Sequence, residues 1–281
     1  MMSSYARRKA VSTLMLASCV ACAAACIGIL LFILAYVVLK GAGALNFDFF
    51  TNTPKPLGET GGGVANAIVG TAIMVAIASA IAIPIGIGAG IFVSEYASPR
   101  VGGLVRFTAD VMSGIPSIVV GLFIYLVLVL RAGSFSGWAG GIALAVVMLP
   151  ILARASEEML KLVPNSHREA ALALGVPRWR SIVSVVLPGA RRGLLTGALL
   201  AVARAGGETA PLLFTSLGSR FLTLNPNKQM DSLPLRIYRY ATGPYNDWHA
   251  QAWAASLVLL ALVFATSVLA RVILGRESGT R

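Results

Sequence analysis

The chain has 281 residues, of which 57% are hydrophobic and 12% are charged, and its mean hydropathy is +0.81. Soluble domains carry about 25% charged residues, so this composition excludes an ordinary soluble globular protein and is typical of a helical membrane protein. The net charge of +12 is not arranged as a basic stripe with interleaved aromatic residues, so nucleic-acid binding is not expected. The Lys and Arg residues instead indicate cytoplasmic loops beside anionic lipid.

Six apolar segments are long enough to cross a bilayer, which takes about 20 residues in a helix. They lie at residues 12–39, 64–93, 107–130, 138–160, 193–217 and 250–274. Most of the 23 Lys and Arg residues fall in the segments that are cytoplasmic if both termini are inside the cell, which favours that orientation. The sequence therefore predicts an all-α, polytopic membrane protein with six transmembrane helices and both termini in the cytoplasm.

The first apolar segment raises the question of a cleaved leader, because Leu16-Ala17-Ser18-Cys19 resembles a bacterial lipoprotein cleavage box. The apolar core of a signal peptide is about 7–15 residues long, whereas this apolar run extends over residues 10–39. We therefore expect an uncleaved first transmembrane helix.

The Gly-rich run at 58–63 lies in the loop after the first segment, on the predicted outer side. A nucleotide P-loop requires G-x-x-x-x-G-K-[ST] between a strand and a helix, and no such motif occurs in the chain. We therefore expect the chain to bind no ATP, and we expect it to hold no metal and no cofactor of its own.

The loop between the fourth and fifth segments carries helix start and stop signals. Ser166 and Glu169 have the spacing of a capping box, in which each side chain bonds the other's backbone N–H. Gly175 can adopt the left-handed conformation that ends a helix, and Pro177 prevents continuation. The sequence predicts a short cytoplasmic helix over residues 169–174. Its apolar ridge would consist of Ala170, Ala171 and Leu174.

Seven residues in and after this predicted helix follow a longer pattern. They are Glu169, Ala170, Ala171, Gly175, Val185, Leu187 and Pro188. Their spacing resembles the E-A-A-x3-G-x9-I-x-L-P signature of the permease subunits of bacterial ABC importers, a binding-protein-dependent, MetI-like family, with Val185 in place of the usual Ile. The resemblance implies a type I ABC importer permease fold, in which these seven residues couple the chain to a separate ATPase whose groove receives the short helix.

The same resemblance implies a domain organisation and the place of ATP. Residues 1–63 would form the first transmembrane helix and a periplasmic loop, 64–274 the permease domain, and 275–281 a cytoplasmic tail. ATP and Mg²⁺ would be bound by a partner ATPase dimer and not by this chain. The expected location is the inner membrane of a bacterium.

The fifth apolar segment contains two charged residues, Arg204 and Glu208. A charge inside a membrane is costly and usually marks a transport pathway. Residues four apart share a helix face and can pair, and the planar guanidinium suits an oxyanion. A purely structural ion pair is the alternative. Thr209 adjoins the pair, and Ser113 and Ser117 in the third segment are predicted either to line the same path or only to support a helix kink.

Three further segments resemble the permease subunits of phosphate importers. They are Glu208 to Thr215, Gly114 to Leu122 and Ala67 to Thr71. The resemblance implies phosphate as the substrate and, as partners, an ATPase dimer, a sister permease and a periplasmic phosphate-binding protein.

Other functions stay open at this point. A permease for sulfate, molybdate or phosphonate fits equally well, because Arg204 suits any oxyanion. An intramembrane hydrolase needs a nucleophile with a base in reach, and neither His167 nor His249 lies in an apolar segment. A secondary carrier would work without an ATPase partner.

Overall fold

The computed structural model describes residues 4–56 and 58–276, and their side chains over 5–56 and 58–268. Over these ranges the chain is helical, and its only strand-like feature is an isolated bridge between Pro54 and Gly62. We number the helices in chain order. They are α1 (Ser4–Gly41), α2 (Phe47–Thr51), α3 (Ala65–Tyr96), α4 (Pro99–Gly114), α5 (Ser117–Ala132), α6 (Gly137–Lys161), α7 (Asn165–Ala173), α8 (Arg178–Gly206), α9 (Ala210–Thr215), α10 (Leu233–Ala241) and α11 (Asn246–Arg276).

Among the described residues, five helices are long and apolar enough to cross a membrane: α1, α3, α6, α8 and α11. The helices α4 and α5 meet at 96° and together form a sixth candidate span. The prediction of an all-α, multi-spanning membrane protein is therefore confirmed, with six segments when α4 and α5 are counted as one; the predicted third segment is then a broken helix. The break follows from Pro116, which lacks a backbone N–H and disfavours helical geometry at the preceding Ile115, whose φ and ψ are −73° and 128°.

The predicted fifth span, 193–217, is wrong at both ends. Helix α8 begins at Arg178, directly after Pro177, and ends at Gly206. Pro188 stays inside this helix because a π-turn over Ile182–Val186 precedes it, and the wider turn absorbs the clash between a proline ring and the carbonyl four residues earlier.

The core of the molecule lies where α3 packs against α6. Every fourth residue of α3 faces α6 and is buried, in the order Met74, Ala78, Ala82, Gly86 and Gly90. From Ala78 onward these residues are Ala or Gly, and small residues at this spacing bring two membrane helices close together. At Gly90 a Cβ atom would lie 2.5 Å from Ser156 Cβ, so only glycine permits the observed helix contact.

Helix α1 has few contacts with the rest of the chain. In its most apolar window only 6% of the residues are buried. Its contact with α11 is confined to its end, where Tyr36 meets the Trp253 ring edge to face at 5.3 Å and Gly41 touches the Trp253 backbone. The apolar surface of α1 therefore faces lipid or a partner helix.

Candidate translocation site and coupling helix

A cavity of about 330 Å³ opens between the α4–α5 break, the middle of α6 and the end of α8. Four of the five residues predicted for the translocation path line it together: Ser113, Ser117, Arg204 and Glu208. Thr209 does not line the cavity; it is half-buried and its carbonyl accepts bonds from the first turn of α9. The structure thus brings residues about 90 positions apart in the sequence to one polar site.

Arg204 and Glu208 do not lie on one continuous helix face, contrary to the prediction. Helix α8 ends at Gly206, and the Gly207 N–H donates to the Arg204 carbonyl at 3.0 Å. The two charged groups are 3.9 Å apart, from Arg204 Nε to Glu208 Oε1, which is too far for a strong hydrogen bond. The Arg204 side chain is 62% exposed and that of Glu208 only 17%, so the guanidinium keeps free donors in the cavity.

The start of α5 contributes a second positive feature to the same cavity. Helix α5 begins at Ser117, and its N-cap Pro116 makes no side-chain capping bond. The first N–H groups of a helix carry a partial positive charge and favour anions. Helix α5 is held in place by α9, because Gly121 allows the Pro211 backbone to approach so closely that a Cβ would lie 2.6 Å from Pro211 Cα.

The second candidate site is α7 with the turn that follows it. Helix α7 begins at Asn165, after Pro164, and no side chain caps it. The predicted capping box is therefore wrong, because Ser166 already lies inside the helix. The predicted stop is confirmed: Gly175 has φ +76°, and the Val176 N–H donates to the Ala171 carbonyl at 3.1 Å, as in a Schellman motif.

The predicted apolar ridge of α7 is divided between two faces. Ala171 is buried against the chain itself, whereas Leu174 is 84% exposed. Leu172 and Trp179 are also exposed, at 50% and 62%, and Glu169 and Ala170 are exposed beside them. We call Glu169, Ala170, Leu172, Leu174 and Trp179 the outward patch.

The remaining motif residues belong to α8. Val185 lies in the π-turn and lines a groove of about 430 Å³ together with His167. Leu187 directly follows the π-turn and is half-buried against the small core around Leu160 and Val186. Pro188 comes next and is exposed. The motif thus contains both a short helix and the irregular turn on which this helix rests.

Sequence reasoning missed Glu95, which fixes the position of α7. Glu95 is 6% exposed and lies at the end of α3. Its Oε1 accepts a bond from Arg168 in α7 at 2.8 Å, and Arg168 also donates to the Leu160 carbonyl at 2.9 Å. Arg178, the first residue of α8, donates to the Glu95 carbonyl and covers the Tyr96 ring at 5.1 Å. A lone acid at the end of a span, opposite an Arg-rich loop, was the available signal.

Replacing Glu95 with glutamine should detach α7 from α3. Removing one partner of a buried ion pair costs about 3–5 kcal/mol, so we expect the melting temperature of the purified protein to fall by several degrees. Thermal unfolding measures this effect. Glu59→Gln, which removes an exposed carboxylate from the first loop, is the matched control. A Glu95→Gln protein as stable as wild type would contradict the role of this pair.

Comparison with known proteins gives the chain its family. Residues 82–278 match the family of binding-protein-dependent transport system inner membrane components. The chain is 43% identical over 249 residues to the phosphate transport system permease protein PstA of Yersinia pestis, covering 88% of this chain and 84% of that protein. It is 40% identical over 214 residues to PstA 1 of Mycobacterium tuberculosis H37Rv, covering 75% and 70%.

Solved structures show the same fold. An inward-facing MetNI methionine ABC transporter chain superposes with a TM-score of 0.64 at 19% identity, over 78% of this chain and 96% of that one. A chain of an amino acid ABC transporter gives 0.57 at 16% identity, over 75% and 92%. The fold is therefore that of the ABC importer permeases, and the chain belongs to the binding-protein-dependent transport system inner membrane components, within the PstA family.

Proposed function

We propose that this chain is a permease subunit of an ATP-driven importer of inorganic phosphate and forms half of its translocation pathway. The observation that carries the proposal is the Arg204 guanidinium, exposed in a cavity whose walls are two interrupted helices. Interrupted helices expose backbone groups that replace the hydration of an ion, and they occur at membrane depth only where they line a cavity. The 40–43% identity to proteins named as phosphate permeases supports phosphate as the ion.

The design of this site favours passage over tight binding. A conduit must bind its ion weakly enough to release it. Glu208 faces Arg204 at 3.9 Å, so it lowers the local positive potential without occupying the guanidinium donors. A single Arg is also too little for a doubly charged anion, so a PstC-like sister permease would supply the opposite wall. Ser113 and Ser117 offer hydroxyl donors across the cavity.

The partners follow from the outward patch and from the family. The patch would enter a groove of a PstB-like ATPase dimer, which binds the ATP and Mg²⁺, and a PstS-like periplasmic protein would deliver the phosphate. Both termini would then be cytoplasmic, and the whole complex would sit in a bacterial inner membrane. A permease for sulfate, molybdate or phosphonate is less favoured, because the relatives are named for phosphate.

The test of this function is uptake by the reconstituted complex. The chain is copurified with its ATPase and sister permease, placed in vesicles with the binding protein, and given labelled phosphate or sulfate with ATP. We expect phosphate uptake that stops without ATP. Uptake of sulfate in preference to phosphate would contradict the substrate, and uptake without the ATPase would contradict the transporter class.

The coupling role is tested by changing the outward patch. Leu174→Asp places a charge at the centre of an apolar contact, so we expect loss of ATPase copurification and of at least about 90% of uptake, because burying an unpaired charge costs several kcal/mol. The chain itself should stay folded because Leu174 is 84% exposed. Ala171→Trp is a poorer test, since Ala171 is buried within the chain. Asn165→Asp, an exposed change at the start of α7, is the control. If the Leu174→Asp chain assembles normally with the ATPase, α7 is not part of the contact between the two proteins.

A further inference from the structure

We propose a second anion site, at the end of the molecule opposite α7, in which Lys55, Arg220 and Arg239 bind a small oxyanion such as inorganic phosphate before it reaches Arg204. The proposal rests on the proposed function for its orientation, since it places this end outside the cell. Its location follows from α3. Asn66 at the start of α3 contacts Asp231 and Ser219, whereas Glu95 at its end contacts α7, and 29 helical residues span about 43 Å.

The site is built on a rigid buried frame. Asp231 and Arg236 are fully desolvated and form an ion pair, with Arg236 Nε 2.6 Å from Asp231 Oδ2. The Asn66 amide donates to the same carboxylate oxygen at 3.3 Å, and Arg236 donates to the Ser219 carbonyl at 3.1 Å. This frame links α3, the 217–232 segment and α10. Within it the Asp231 carboxylate neutralises the charge of Arg236.

Three cations beside the frame have no carboxylate bound to them. Over the described part of the chain, neither Lys55, Arg220 nor Arg239 forms an ion pair. Arg239 donates to the Leu217 carbonyl, which is turned towards it by the left-handed Leu217 and Gly218, at φ 55° and 73°. The Asp247 carboxylate already accepts hydrogen bonds from the Gly61 N–H and from the Gln251 side-chain amide.

These cations surround a cavity that fits a small anion. Its volume is about 80 Å³, and its walls include Lys55, Arg220, Arg236, Arg239, Tyr240 and Trp248. One water occupies about 30 Å³ in the liquid, so the cavity is large enough for a small inorganic oxyanion. Tyr240 is stacked on Trp248 at 5.0 Å and lies under Arg236 at 5.1 Å, which gives the cavity a fixed aromatic wall.

Electrostatics favours occupation of this cavity by an anion. Burial lowers the pKa of Arg239, Asp231 raises it, and the like charges of Arg236 and Arg220 lower it further. The guanidinium groups therefore lie within each other's field with one carboxylate among them. An oxyanion that accepts from Arg220 and Arg239 would relieve this repulsion and gain charge-assisted hydrogen bonds.

The test is protection of individual arginines in the complete transporter, in lipid nanodiscs and without ATP. Phenylglyoxal modification is followed by mass spectrometry, with inorganic phosphate or with potassium chloride at equal ionic strength. We expect phosphate to slow modification of Arg220 and Arg239 severalfold and chloride to have no effect. Arg131, which is exposed and does not line the cavity, should react at the same rate throughout. Equal rates for Arg220 with and without phosphate would overturn the proposal.

Two variants and one added protein complete the experiment. Lys55→Gln should weaken the protection of Arg220 severalfold. The control is Lys228→Gln, which changes an exposed lysine outside this cavity and should leave the protection unchanged. Equal protection of Arg220 in both variants would contradict the site. If phosphate-free binding protein protects Arg220 and phosphate alone does not, the cations contact a protein carboxylate and the proposal is overturned. Because the readout needs no transport, it stays informative even if the uptake tests fail.

Discussion

Replacing Arg204 with alanine should reduce uptake of labelled phosphate about tenfold to a hundredfold, because a hydrogen bond to a charged group contributes about 1.5–3 kcal/mol and each 1.4 kcal/mol is a factor of ten. The complex should still assemble, since the Arg204 side chain is 62% exposed and only loosely paired. Uptake by reconstituted vesicles and the elution profile of the complex measure the two outcomes.

Two further substitutions separate charge from geometry at this position. Arg204→Lys keeps the positive charge but loses the planar pair of donors, so we expect uptake between those of the wild type and Arg204→Ala. Arg131→Ala removes an exposed Arg that does not line the cavity and should transport normally. Wild-type uptake by the Arg204→Ala complex would exclude Arg204 from the path and leave it a structural residue.

Replacing Gly90 with valine should prevent formation of a stable permease. A Cβ at Gly90 would lie 2.5 Å from Ser156 Cβ and 2.9 Å from the Glu157 backbone nitrogen. The backbones of α3 and α6 would have to separate, and overpacking a tight core costs about 1–3 kcal/mol or more. We expect little monodisperse complex after purification, and a melting temperature lower by about 4 °C or more in what remains.

The neighbouring glycine supplies the control for this change. Gly88 lies in the same helix, and a Cβ there would meet no atom within 4 Å. Gly88→Val should therefore give a normal yield, because it makes the same change in intrinsic helix propensity as Gly90→Val but meets no neighbouring atom. If the two variants behave alike, the effect comes from the helix itself and not from its contact with α6.

Hydropathy predicted the helices of this fold well and their interruptions poorly. The segment 138–160, observed as Gly137–Lys161, carries no charged residue over 138–153, and this run is enough to predict the helix from hydropathy. Helix α8 was placed some fifteen residues too late because its first turns carry Arg178 and Arg180, which lower the mean hydropathy. A window average cannot separate an amphipathic helix at the membrane surface from a loop.

The candidate sites show the same division between local and distant information. The stop of α7 is local, since Gly175 and Pro177 determine it, and it was predicted. The capping box failed because Pro164 allows the helix to start earlier, at Asn165. The bond from Arg168 to Glu95 joins residues 73 positions apart. The sequence shows a lone acid at the end of a span, but not which arginine of the distant loop it contacts.

The continuity of α8 gives the site a mechanical property. One end of this helix adjoins the outward patch and the other carries Arg204, with the π-turn before Pro188 between them. The helix rises over sixteen residue steps from Pro188 to Arg204, which is about 24 Å, so a tilt of about 10° at its base would carry the guanidinium sideways by about 4 Å. Under the proposed function, a small tilt imposed by the ATPase at the outward patch would be enough to move the guanidinium away from a bound phosphate.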